Sequence, residues 1–205
     1  MRLLLALWLL LPASAFPADA QELLDRTLAI VGGQPITLSD ARAVIALGLV
    51  EPERAADPIA GVALQLVDRE LVLREVQRYA PGAPAESAVD ARLDEIRKRF
   101  ADAAALARVL EVHAFTEERL KAWIRDDLRT QGYLVQRFAS ASTPTDAEIA
   151  TAYARGKAEF DAKTMSFEQA VPIVRDRLVA SRRNELIADW VSDLRRRTDV
   201  VILQQ

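Results

Sequence analysis

A single β-hairpin heads a chain that otherwise reads as helix, and it needs a partner strand. Thr27-Leu28-Ala29-Ile30-Val31 is an apolar and β-branched run, Gly32-Gly33 is a turn dipeptide, and Gln34-Pro35-Ile36-Thr37 is a short return. A two-residue Gly-Gly connection supplies the positive φ angles of a tight hairpin. Pro35 has no amide to donate, which confines the return strand to an edge or an early end. One hairpin alone is marginal in water. The other β-branched run, Asp199-Val200-Val201-Ile202-Leu203, lies at the far end of the sequence. The expected solution is a small sheet in which this C-terminal strand joins the N-terminal hairpin.

Between those ends the pattern is helical. Glycine is sparse, at 7 of 205 residues, while Ala, Leu, Arg and Glu abound, which favours a mainly α class with a small β element. Thr37 with Asp40 forms a capping pair for a helix running through Leu47. Asp57-Pro58 supplies a cap residue followed by proline at the first helical position. From there Ile59–Tyr79 carries apolar residues on more than one face, as a central helix would, and Pro81-Gly82-Ala83-Pro84 stops it. Ser87–Phe100 and Ala104–Val112 are shorter helices. Thr116 opens a helix to Phe138, with Leu120, Trp123, Ile124, Leu128, Leu134, Val135 and Phe138 along one side and Tyr133 off that stripe. Ser140–Thr145 is a connector, Asp146–Phe160 one further helix, and Ser166–Arg197 a long last one. In that last helix Val174 and Leu178 point one way and Leu186, Trp190 and Leu194 another. Either the helix bends near Ser181–Asn184 or its halves pack on different neighbours. Pro172 near its start also permits a beginning later than Ser166.

Charge and composition exclude several functions. Lys plus Arg number 27 against 30 Asp plus Glu, a net charge of −3 without long single-sign blocks. That is not the basic footprint of a nucleic-acid binder. The absence of cysteine removes disulfides and thiol chemistry. His113 is the lone histidine; a zinc site would need an all-carboxylate remainder, so a helix-terminal role is the simpler reading. Gly32-Gly33 lacks the lysine and spacing of a phosphate cradle. Asp126-Asp127 and Glu117-Glu118 read as solvated helix faces with nearby arginines. Arg195-Arg196-Arg197 suits a helix C-terminus, with contact to acidic lipid or client as the sharper alternative. No catalytic residue, metal or cofactor is assigned.

The N-terminus has the order of a secretory signal: Met1-Arg2, the apolar run Leu3–Leu11, Pro12, then two small-x-small sites. Residues 1–20 are expected to be removed, with cleavage after Ala15 or Ala20. The apolar run is too short for an uncleaved anchor, which takes roughly 20 residues, and no second apolar stretch is long enough to span, so no stable membrane insertion is expected of the mature 21–205.

With this order in view, four segments resemble the SurA family of periplasmic chaperones. Asp25–Asp40 looks like the family's mature start. Leu66-Val67-Asp68-Arg69-Glu70-Leu71-Val72-Leu73-Arg74-Glu75 is similar to its acidic-leucine helix. Arg97–Phe100, Thr116–Leu120 and Tyr133–Phe138 match its run of short helix, loop and long helix. Trp190–Arg195 followed by Val200–Leu203 looks like its last helix and strand. Members usually carry parvulin-type prolyl-isomerase domains before that last helix. Here Asp146–Phe160 looks like the lead-in and Ser166–Ala170 the lead-out, with only Asp161–Met165 between, whereas such a domain takes about a hundred residues. The resemblance therefore implies the helical chaperone core without the isomerase.

It further implies a periplasmic, ATP-independent holdase for unfolded outer-membrane or secreted polypeptides. The rivals are a dedicated subunit for one folded partner or a homodimer, and a cryptic isomerase. The expected client-binding residues are Tyr133, because it leaves the apolar stripe, and Tyr153 and Phe160, because they flank the missing domain. Trp123, Phe100, Phe138 and Trp190 are assigned to the core.

Overall fold

The computed structural model describes residues 25–52, 57–79 and 82–203; the expected signal segment and its cleavage sites lie outside these residues. Strand β1 (Thr27–Val31) turns into β2 (Gln34–Thr37), and the chain ends in β3 (Val200–Ile202). The sheet order is β2-β1-β3, both pairings antiparallel, so the two ends of the chain do share one sheet. The Gly32 amide donates to the Asp199 carbonyl at 2.8 Å and the Leu203 amide to the Leu28 carbonyl at 3.0 Å. Gly32 and Gly33 take φ of 52° and 87°, as the tight turn demands. A Cβ on Gly32 would lie 2.6 Å from the Arg74 guanidinium, which donates to the Val31 and Gly32 carbonyls. The turn thus needs glycine for both its dihedrals and its neighbour.

Eight helices connect these strands among the described residues: α1 (Leu38–Ala46), α2 (Pro58–Tyr79), α3 (Glu86–Arg97), α4 (Ala103–Val112), α5 (Glu117–Arg137), α6 (Asp146–Arg155), α7 (Lys157–Ala162) and α8 (Phe167–Arg197). The protein is mainly α with a small β element. The starts are set by side chains that accept otherwise orphaned amides. Thr37 and Asp40 form a full capping box. Asp57 accepts from Ile59 and Ala60, Asp102 from Ala105 and Thr116 from Arg119. His113 is the C-cap of α4. Ser166 with Gln169 makes the box that starts α8 at Phe167. Pro172 therefore sits inside the helix, where it forfeits the bond to the Glu168 carbonyl; Glu168 is on the exposed side.

Three apolar clusters hold the fold. The first gathers Leu28 and Val31 of the sheet, Val44 of α1, much of α2, Tyr133 of α5, and Trp190 and Leu194 of α8. α2 buries Val62, Leu66, Val67, Leu71, Val72 and Val76 on several faces, as a central helix does. A fully buried aliphatic side chain contributes about 1.5–3 kcal/mol, so this helix anchors the core. The second cluster joins Leu47 to α3, α4, Phe115 and the start of α5. The third is a satellite of Ile149, Phe160, Ala170 and Val174. It makes an arm of α6, α7 and the first half of α8. The last helix is continuous, and its halves pack on different clusters: Val174 in the arm, Trp190 and Leu194 in the main core.

Some expectations are corrected. The segment Asp146–Phe160 is two helices, because Gly156 ends α6 and begins α7; glycine weakens a helix interior, and the break lets Phe160 turn inward against Gly156. Val135, assigned to the buried stripe of α5, is 48% exposed. The arginine run, which closes α8 as expected, also makes ion pairs. Arg195 pairs with Asp68 at 2.6 Å, Arg197 with Glu75 at 3.3 Å, and Arg196 with Asp193, so two of the three tie the end of α8 to α2.

Candidate functional site

The most extensive cavity among those described, about 610 Å³, opens where α2, α5 and α8 meet. Its floor is apolar: Val72 from α2, Leu134 from α5, and Ile187, Ala188 and Val191 from α8. The α8 contributors recur at three- and four-residue spacing, so they form one strip of the helix. That strip is turned by roughly 100° from the Trp190–Leu194 stripe buried in the core, at ~100° per residue. A helix lodged on one side by Trp190 thereby shows a second, half-covered apolar side.

Charged pairs flank this floor. Arg195 Nε donates to Asp68 at 2.6 Å, bridging α8 to α2. Arg69 Nε donates to Asp127 at 3.2 Å, bridging α2 to α5. The Arg69 guanidinium lies 3.4 Å from the Trp123 ring centroid, and Trp123 Nε1 donates to Asp127 at 3.1 Å. Asp127 is thus a half-buried cross-helix anchor rather than a solvated surface acid. Burial pushes its carboxyl above the ordinary range despite Arg69 and Trp123. Glu70, next to Arg69 on α2, is likewise raised by burial against Arg74 and Arg69. An apolar floor with fixed charges at its edge can take up apolar side chains of a polypeptide, and its volume falls in the range of ligand pockets, about 300–1,000 Å³.

The residues expected to bind clients are placed differently. Tyr133 is 9% exposed and belongs to the main core. Its ring stacks on Tyr79 at 5.7 Å and meets Trp190 at 6.2 Å, and its hydroxyl accepts from Arg137 at 3.1 Å. It left the α5 stripe because that helix has a second buried flank, facing α2 and α8, that a one-sided pattern cannot register. Phe160 is 2% exposed, enclosed by Ile149, Ala170 and Val174. The first half of α8 covers the surface that was expected to lie open beside it. Tyr153 is half-buried, stacked on Phe160 at 5.4 Å and edge-on to Phe167 at 5.0 Å. Phe167, which sequence reasoning passed over, is exposed. Tyr133 therefore lies in the main cluster and Tyr153 and Phe160 in the arm, and none of the three lines the groove, whose floor is the Val72, Leu134 and Val191 margin of the main cluster. The groove's signal in the sequence was the Ile187-Ala188-Val191 strip beside Trp190.

The arm is fastened by acids held far below their ordinary range. The Thr145 amide, then Arg182 and the Thr145 hydroxyl, bring Glu148 down to about 2; Arg177 and Lys163 do the same to Glu159. A depressed carboxyl stabilises the fold above its unfolded value and loses that contribution as pH falls through its folded value. Asp127 and Glu70 have the opposite sign: the folded state binds their protons more tightly, so acid relieves a cost. Between pH 4.5 and about 2, exchange protection of α6 and α7 amides is expected to fall while that of α2 holds. High salt should shrink the difference, because the arm pairs are exposed. Hydrogen-exchange protection factors at about pH 6 and about pH 3 check this.

Among the described residues no three His, Asp or Glu side chains gather as a metal site, and no helix is long and apolar enough to cross a membrane. Compared with known proteins, the chain matches no family model, and no curated protein is significantly similar to it.

Proposed function

We propose that this chain is an exported, ATP-independent holdase that shields unfolded outer-membrane or secreted polypeptides in the periplasm and carries out no isomerisation itself. The observation that carries the reading is the apolar groove of about 610 Å³ between α2, α5 and α8, with its ion pairs at the edge. The element order supports it as well: hairpin, helices, and a last helix whose strand returns to the hairpin follow the resemblance noted in the sequence. Helices α7 and α8 are joined directly by Lys163–Ser166, with no domain between them.

The magnitudes suit holding rather than tight capture. Two or three apolar side chains entering the floor contribute about 1.5–3 kcal/mol each, before the costs of ordering a disordered segment. Micromolar binding needs about 8 kcal/mol. The groove alone therefore gives weak, reversible contact, and a useful holdase gains strength from a second contact on the same client.

Ala188 is exposed at the groove and makes a mild probe position. A photo-crosslinking residue there is expected to capture a purified urea-unfolded β-barrel protein upon dilution, and not the same protein already folded. No crosslink to the unfolded form would contradict the reading. Acceleration of a prolyl-peptide isomerisation assay above background would overturn its non-catalytic part.

A further inference from the structure

The three-stranded sheet has two edges, and they are built differently. In β2, the pairs Val31–Gln34 and Ala29–Ile36 turn their backbone groups toward β1, so the nitrogen of Pro35 faces outward. Proline has no hydrogen there, and this edge cannot donate at its middle. In β3, Val201 is paired with Ile30 between the bonded Gly32–Asp199 and Leu28–Leu203 positions. Alternation then directs the amides and carbonyls of Val200 and Ile202 away from β1, to the open side. Among the described residues nothing pairs with them. This edge also lacks the devices that usually discourage strand addition: it carries no proline, lysine or bulge. Its side chains are apolar, and Ile202 is 56% exposed.

Beside this edge lies a pocket of about 240 Å³. Ala60, Leu64 and Val67 of α2 line it with Leu28, Ile202 and Leu203. Asp57 is its one charged residue, and that carboxylate is already engaged by the Ile59 and Ala60 amides. Leu64 and Leu203 are both exposed there. A strand added to β3 would point alternate side chains to this side of the sheet, because directly opposed residues in a pair share a face.

We infer that β3 is a docking edge for an extended segment of an unfolded polypeptide, paired through Val200 and Ile202, with apolar residues at alternate positions entering the Leu64 pocket. This rests on the holdase reading and supplies the second contact that the groove's weak binding calls for. The area argues against a second copy of the chain as occupant. A symmetric β3–β3 contact has two outward residues per strand and a few apolar side chains, far from the roughly 1,200–2,000 Å² that stable interfaces bury. A short edge of this kind suits a transient client. The pattern it selects, apolar at every second residue, is the one transmembrane β-strands carry.

The test uses a fluorescent peptide of about ten residues alternating leucine and threonine, and a second peptide N-methylated along one edge. Ile202→Pro removes one outward donor of β3 while the inward bonds of Asp199 and Leu203 remain. Leu64→Glu places a charge in the pocket without touching the strand. Each variant, and the N-methylated peptide on the parent protein, is expected to weaken binding at least about tenfold with circular dichroism unchanged. Affinities within about twofold of the parent in folded variants would overturn the inference. Should Ile202→Pro not fold, Leu64→Glu and the N-methylated peptide decide it. A concentration-dependent dimer dissolved by Leu64→Glu would also overturn it, since the edge would then belong to a second copy. If the protein suppresses aggregation but does not bind the peptide, the edge proposal fails and the holdase reading stands. If it does neither, both fail.

Discussion

Trp190→Ala is expected to lower the stability of the whole core by about 3–5 kcal/mol, the usual cost of truncating a buried tryptophan. The residue is 8% exposed and packs α8 against the end of α5. Tyr133 lies 6.2 Å away, Phe138 meets it edge-on at 6.0 Å, and the Arg137 guanidinium sits 4.9 Å from its ring. Without it, Leu194 and the partly buried Val191 are left to keep the second half of α8 in the main cluster, and β3 follows directly from that half. The loss should therefore loosen the sheet as well as the helix. Total stability of a domain is about 5–15 kcal/mol, so the variant is expected to be folded but fragile. A thermal midpoint lower by roughly 10–15 °C is the expected readout for a chain of this size. A midpoint within a few degrees of the parent would mean that Trp190 does not clamp the core.

Phe160→Ala should produce a loss of similar size confined to one region. Phe160 is the largest side chain of the satellite cluster, with Ile149, Ala170 and Val174 as its buried companions. Truncation costs about 3–5 kcal/mol, which exceeds what the three buried companions, a rim of partly buried side chains and exposed ion pairs can offset. The arm is expected to open while the main core keeps its protection, a sub-global unfolding of the kind that exchange measurements resolve. Amides of α6, α7 and the first turns of α8 would exchange rapidly, and those of α2 and β1 would not. A uniform loss across all helices would contradict the independence of the arm.

Much of this architecture was readable from residues whose meaning is local. The Gly-Gly turn, Pro35 and the terminal β-branched run led directly to the sheet. Thr37, Asp57, Thr116 and Ser166 marked helix starts because each accepts amides within its own first turn. The two stripes of α8 foretold its division between clusters. The misreadings came where burial depends on distant neighbours. Tyr133 looks free on the wheel of α5, but Tyr79 and Trp190 cover it from helices 54 and 57 residues away in sequence. Phe160 looked uncovered because the expectation considered what was absent rather than what α8 would place there. The groove was hidden for the same reason: its floor combines single residues from α2 and α5 with a strip of α8, and none of these is unusual alone.

The central claim is that this groove holds unfolded chains, and Ala188→Arg tests it with little risk to the fold because the position is exposed. Light scattering is followed as unrelated urea-unfolded proteins, β-barrel proteins among them, are diluted into buffer. The parent is expected to suppress aggregation of several of them near equimolar ratio. The variant, equally helical, should lose most of that effect. Scattering with the parent no lower than in buffer, or suppression undiminished in the variant, would contradict the account.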